Sequence, residues 1–144
     1  LMAVSKASAR WDGGLKQGKG SMKPAHAAEA TFSVASRFEG QPASNPEELL
    51  GAALAGCFSM ALTSALEKAG FQPKSVATNA DVTIEKGEAG FSITSIELTT
   101  QASVPGVDPA KFQAIAEETK KTCPVSKALA AVPRVGLKAS VSST

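Results

Sequence analysis

The sequence predicts an α+β fold in which a largely antiparallel sheet wraps around a long, buried central helix. Three observations lead there. Residues 49–66 carry no charge and are bounded by helix-type end signals. Two segments of alternating polar and apolar residues flank a glycine-rich turn at 86–90. A second capped helical stretch and a final alternating segment then follow. Runs of strands on one side of a helix, and not a regular strand–helix alternation, indicate α+β.

The elements read as follows. Val4 to Trp11 is an expected strand, stopped by Asp12-Gly13-Gly14. Leu15 to Met22 reads as a second hairpin arm, and 27–36 as a third strand around Thr31, Phe32 and Val34. A polar loop is expected from Arg37 to Ser44. Asn45-Pro46-Glu47-Glu48 is a helix start: an Asx cap, proline in the first turn, and acids at the positive end of the dipole. That helix should run to about Ala69, where Gly70 stops it. Its 18 uncharged residues are long enough to cross a bilayer. They are rich in Ala, Gly, Ser and Thr, however, and carry soluble-type caps, so a helix buried in protein is the expectation and no membrane. Residues 75–85 and 91–104 form a hairpin. Asp108-Pro109 caps a helix with Phe112, Ile115 and Ala116 on its apolar face, Pro124 interrupts or restarts it, and 134–143 reads as a last strand.

The chain of 144 residues, 43% of them hydrophobic, fits a single domain spanning 1–144 with a real core. A net charge of +2, no run of like charges and 5% aromatics argue against nucleic acid as a partner. No apolar h-region follows Leu1-Met2-Ala3-Val4-Ser5-Lys6, Met2 reads as the natural start, and a cytoplasmic location is expected. In a reducing compartment the two cysteines, Cys57 and Cys123, do not form a secreted-type framework. With His26 the sole histidine and no C-x-x-C, a metal site is not expected.

Cys57 lies in mid-helix, where nothing local lowers its pKa, and a buried core thiol is the plain alternative to a reactive one. Cys123 precedes Pro124, with Lys120, Lys121 and Lys127 nearby, an environment that suits a thiolate but also an inert loop cysteine. The residues by themselves support a redox dithiol and no more.

Several segments in order carry a resemblance: Arg10-Trp11 with Gly18-Lys19-Gly20, Arg37-Phe38-Glu39-Gly40, Asn45-Pro46-Glu47-Glu48-Leu49, Cys57-Phe58-Ser59-Met60-Ala61, Val104-Pro105-Gly106 and Cys123-Pro124-Val125-Ser126. Together they resemble the OsmC/Ohr family of organic hydroperoxide reductases, on the OsmC side because the arginine lies in the RFEG stretch ahead of the helix. At Leu54 and Gly56 the chain departs from relatives, which bears on pocket shape. The resemblance implies a peroxidatic Cys57, a resolving Cys123, an Arg37 that holds the thiolate and a Glu47 that orients Arg37. It also implies no cofactor beyond an external dithiol reductant, possibly of lipoyl type, and a role in oxidative or osmotic stress defence.

The chemistry suits these residue types. An ordinary thiol is only a few per cent ionised near neutrality. Arginine is always charged and offers a fork of donors to thiolate and peroxide oxygens. Attack on the peroxide leaves a sulfenic acid, which condenses with a second thiol. Glu47 and Cys57 are ten residues apart on one expected helix, ~15 Å along its axis and rotated ~1000°. If both serve one site, Glu47 comes from a second chain, so an intertwined homodimer is expected, with the uncharged helix face buried between copies. Phe38, Leu54, Phe58 and Met60 are candidate pocket lining, and an apolar mouth would favour organic hydroperoxides over hydrogen peroxide. The alternatives are a non-enzymatic dimeric stress or ligand-binding protein, and a different thiol enzyme using His26 as base.

Overall fold

Six strands and four helices follow one another in a computed structural model that describes every residue from Leu1 to Thr144. Two compact units divide the chain, residues 1–49 and 50–144.

In the first unit, β1 (Ala7–Asp12), β2 (Lys19–Pro24) and β3 (Ala30–Phe32) form an antiparallel sheet in that order. Strand β1 begins at Ala7, paired with Pro24, and not at Val4, and one further bond from the Ala25 N–H to the Lys6 carbonyl at 3.0 Å closes the ladder. The expected third strand is shorter too. Ser33 Oγ accepts from the Ser36 N–H at 3.1 Å, and the Ser33 N–H donates to Ser36 Oγ at 2.8 Å. This reciprocal cap ends β3 at Phe32 and starts a short helix, α1 (Val34–Phe38), where a strand and then a loop were expected. Gly40, with φ +72°, carries the chain out of α1, as a residue lacking Cβ does without strain.

Helix α2 runs unbroken from Pro46 to Lys68. Asn45 caps it, its Oδ1 accepting from the Glu48 N–H at 2.8 Å, and Gly70 at φ +97° closes it. The unit boundary falls within its first turn.

In the second unit, β4 (Ser75–Gly87) and β5 (Gly90–Ser103) form the expected hairpin, and β6 (Arg134–Ser142) pairs with β5 in parallel. The parallel register requires a crossover, which α3 (Pro109–Thr122) and α4 (Pro124–Ala128) supply. Alternation on β5 turns Ile96, Leu98, Thr100 and Ala102 inward. From α2 a stripe at i, i+4 spacing, Leu54, Phe58, Leu62 and Leu66, enters the same core with Phe112 and Ala116 of α3. A hydrogen-bonded chain fixes α2 on the sheet: Ser59 Oγ donates to Thr78 Oγ1 at 2.7 Å, Thr78 and Thr100 hydroxyls meet at 2.9 Å, and Thr100 donates to the Ala77 carbonyl at 3.1 Å.

Helix α2 is long and apolar enough to cross a membrane by length and composition, yet its leucine stripe lies in the protein core. Only 28% of its most apolar stretch is buried within the chain, so the burial expected all round is confined to one face. Ala53, Gly56, Met60 and Ser64 lie on the open side. Phe58 has no exposed surface. Phe58→Ala should therefore cost about 3–5 kcal/mol, against less than about 1 kcal/mol for Ser64→Ala. Urea unfolding at one fixed protein concentration reads the difference, and a mild effect of Phe58→Ala would show that its ring is not core.

Candidate active site

The two cysteines are brought together by the restart of a helix. Asp108 caps α3, its carboxylate accepting from the Lys111 N–H at 3.1 Å, and the helix runs to Thr122. Pro124 cannot donate to a continuing helix. Cys123 adopts extended angles (φ −55°, ψ 129°), ending α3 with its N–H on the Thr119 carbonyl and beginning α4 as its N-cap, with its own carbonyl accepting from Lys127 N–H. The Cys123 side chain is fully buried and points to α2. Its Sγ lies 2.9 Å from Cys57 Sγ, within hydrogen-bonding distance. Both are free thiols.

Cys57 is half-buried, between core Phe58 and exposed Gly56. Burial first of all pushes its pKa up, and the Cys123 thiol adds to this through its hydrogen bond and its charge. The Val125 N–H, at the start of α4, pulls the other way by donating to Cys57, but the net direction is upward. None of these influences is a cation.

The other expected pair forms in the first unit. Arg37, in the last turn of α1, directs Nε to both Glu47 oxygens at 2.9 and 3.1 Å, and Nη2 also donates to Oε1. Glu47 is buried and Arg37 one-third exposed. A carboxylate that accepts several guanidinium donors fixes the fork's direction and leaves the remaining N–H groups free to turn outward. Glu48 is occupied elsewhere, its Oε1 accepting from Ser44 Oγ at 3.1 Å. Arg37 and Glu47 thus travel together in one chain, a point the sequence left open.

Of the expected pocket residues, Phe38 packs beneath Arg37, whose Cζ lies 5.2 Å from the ring centroid. Phe38 and Arg37 share a cavity with Trp11, Leu15, Phe32, Ser33 and Val34. Leu54 and Phe58 are wholly inside the core and offer no surface to a ligand. Met60 is exposed on the open side of α2. Trp11, Leu15, Phe32 and Val34 were not picked out as lining, although Arg10-Trp11 and Gly18-Lys19-Gly20 carried the signal. No group of three or more His, Cys, Asp or Glu is placed to hold a metal.

A protein-family model described as OsmC-like protein matches residues 38–138. The chain is 45% identical over 128 residues to peroxiredoxin OsmC of Escherichia coli strain K12, covering 88% of this chain and 90% of the relative. It is 34% identical over 91 residues to an organic hydroperoxide resistance protein of Xanthomonas axonopodis pv. citri, covering 62% and 61%. Among solved structures, an organic hydroperoxide resistance protein from Elizabethkingia anophelis aligns over 100% of both chains with TM-score 0.70 and 25% identity.

The thiol contact leads to a direct expectation. Stoichiometric oxidation should give an intramolecular Cys57–Cys123 disulfide, since closing a 2.9 Å contact to about 2.05 Å needs little backbone movement. Peptide mapping by mass spectrometry would identify it. Recovery of only intermolecular or mixed disulfides would show that the two sulfurs do not meet in solution.

Proposed function

The chain belongs to the OsmC-like protein family, and from that footing we propose that it is a thiol-dependent peroxidase reducing organic hydroperoxides in stress defence, with Cys57 as nucleophile and Cys123 as resolving thiol. The observation that carries the assignment of roles is the 2.9 Å contact between a half-buried and a fully buried thiol. The Cys57 thiolate attacks one peroxide oxygen. The O–O bond breaks, sulfur is oxidised to the sulfenic acid, and the leaving alkoxide takes a proton to become the alcohol. Cys123 then displaces hydroxide from that sulfur, which leaves as water, and the disulfide forms. An external dithiol reduces it by exchange, becoming a disulfide itself. It would attack the Cys57 sulfur, the more accessible of the two. These steps use sulfur alone and need no prosthetic group.

Cys57 would gain from a cation, because burial raises its pKa and disfavours the thiolate. Arg37, oriented by Glu47, has the right chemistry: one guanidinium stabilises the thiolate and the charge developing on the departing oxygen. Since α2 is unbroken, Glu47 stays ~15 Å along the axis from the Cys57 of its own chain. The working site therefore joins Cys57 and Cys123 of one copy to the Arg37–Glu47 pair of another, in an isologous homodimer. The open apolar face of α2 supports this assembly. Gly56 has nothing within 4 Å of where a Cβ would stand, so a second backbone can approach closely there. Thiols kept reduced between turnovers put the protein in the cytoplasm in this reading.

Three measurements test it. Wild type with a dithiol should turn over cumene hydroperoxide, and Cys57→Ser should not. Mixing inactive Cys57→Ser and Arg37→Ala proteins should restore about a quarter of wild-type activity, because half the dimers then hold one intact shared site. No restoration after verified subunit exchange would mean that each site lies within one chain. In Cys123→Ser protein, which keeps the burial of Cys57 but lacks the other thiol, iodoacetamide alkylation should reach half-maximal rate below the ordinary thiol pKa. Adding Arg37→Gln should move that midpoint upward, since burial then acts without a compensating cation. An unmoved midpoint would remove Arg37 from thiolate stabilisation.

A further inference from the structure

The three lysines near Cys123 in sequence are not absorbed by the thiol chemistry. Burial, Cys123 and the Val125 N–H set the pKa of Cys57, and no ammonium contributes. Lys120 and Lys121, in the last turn of α3, and Lys127, in α4, instead line a cavity of about 430 Å³ that Ser126, Ala130 and Val135 complete. Lysine at a helix C-terminus complements the dipole, and that would account for exposed side chains. Two features go beyond it. The Lys120 side chain is only 23% exposed, and its one ionic partner is Glu117 at 3.3 Å. Ser126 Oγ is buried without a hydrogen-bond partner, the one side-chain oxygen or nitrogen of the chain in that state. A buried hydroxyl is costly unless something meets it. Lys121 and Lys127 form no ion pair, and no acid lines the cavity.

We propose that this cavity is an anion site that binds a phosphate group, free or at the head of a small phosphate ester. Three ammonium groups around one space, offset by the single carboxylate of Glu117, create a positive potential that an anion relieves. A phosphate near neutrality carries more than one negative charge and three strong acceptor oxygens. Lysine ammoniums hold such a group as point charges, with no demand for a planar fork. The Ser126 hydroxyl supplies a further donor. A carboxylate, with one charge and two oxygens, leaves more of this cluster uncompensated. Ala130 and Val135 offer apolar surface to the carbon part of an ester. The site is independent of the peroxidase reading and stands whether or not that reading does. Its occupant rests against α4, the helix that begins at Cys123 and whose Val125 N–H donates to Cys57.

Calorimetric titration of the full chain with glycerol 3-phosphate, and separately with inorganic phosphate, at fixed ionic strength tests this. Each should bind saturably, one per chain. Tighter binding of the ester assigns its carbon part to Ala130 and Val135, and equal binding assigns the site to the free ion. Replacing Lys121 and Lys127 together by Gln, at exposed and unpaired positions where folding is not at stake, should weaken binding about tenfold. Glu117→Gln, which releases Lys120, should tighten it about threefold. Ser126→Ala should weaken binding while thermal stability holds or rises, since an unmet oxygen is removed and no bond is lost. Absence of saturable binding, or binding that follows ionic strength alone, overturns the proposal. So does binding that the lysine pair leaves unchanged and Arg37→Gln abolishes, since the anion then sits on the guanidinium of the first unit.

Discussion

One stripe of α2 decides where the two thiols can meet. Leu54, Phe58, Leu62 and Leu66 must be inside, against Ile96 and Leu98, or the second unit has no core. With that stripe fixed, helical geometry leaves Cys57 no choice. It is adjacent to Phe58 and so rotated about 100° from the buried line, half in and half out. A nucleophile fully on the stripe would be sealed from substrate. One on the far side would lose the contact with Cys123, which is fully buried. The hydroxyl chain from Ser59 through Thr78 and Thr100 then locks the helix against sliding, so the sulfur–sulfur contact depends on the register of α2 on the sheet.

Electrostatics within the single chain disfavour the thiolate of Cys57, the proposed nucleophile. Burial and the neighbouring thiol raise the pKa of Cys57, and the Val125 N–H offsets only part of that. Meanwhile the first unit builds a guanidinium whose direction is fixed by a buried carboxylate, an arrangement that costs desolvation and is retained only if the geometry is good. In the proposed dimer each feature answers the other. In that reading a thiol whose pKa is raised within its own chain gains reactivity when a partner supplies the cation.

Much of this was legible in the sequence, and for identifiable reasons. Asn45-Pro46 and Asp108-Pro109 are local devices: cap, fixed φ and dipole all act within one turn, so neighbouring residues suffice to place α2 and α3. Cys123-Pro124 was read as a restart on the same ground. What escaped was nonlocal or reciprocal. Ser33 and Ser36 each look like neutral strand residues, and only their mutual hydrogen bonds make a helix start. Leu54 and Phe58 were offered as pocket lining because a helix apolar all round has no period to say which face is core. Trp11 and Phe32, 21 positions apart, meet over Gly20 through strand register, which no local pattern declares.

The composition of α2 fits a helix with a core face and, in the proposed dimer, an assembly face. A core stripe alone would permit Lys and Glu on the outer side, as in an ordinary amphipathic helix. Instead the outer side carries Ala53, Gly56, Met60 and Ser64, small or unbranched and uncharged. Gly in a helix interior costs about 1 kcal/mol relative to Ala, and Gly56 brings no relief of crowding within its own chain, where nothing approaches its Cβ position. In the proposed dimer its use lies outside the chain. There a bare backbone beside the proposed nucleophile would let a second copy come near, and with it the guanidinium that Cys57 lacks. In that reading the membrane-like hydropathy of α2 is what remains when charge is excluded from both the core face and the proposed assembly face of one helix.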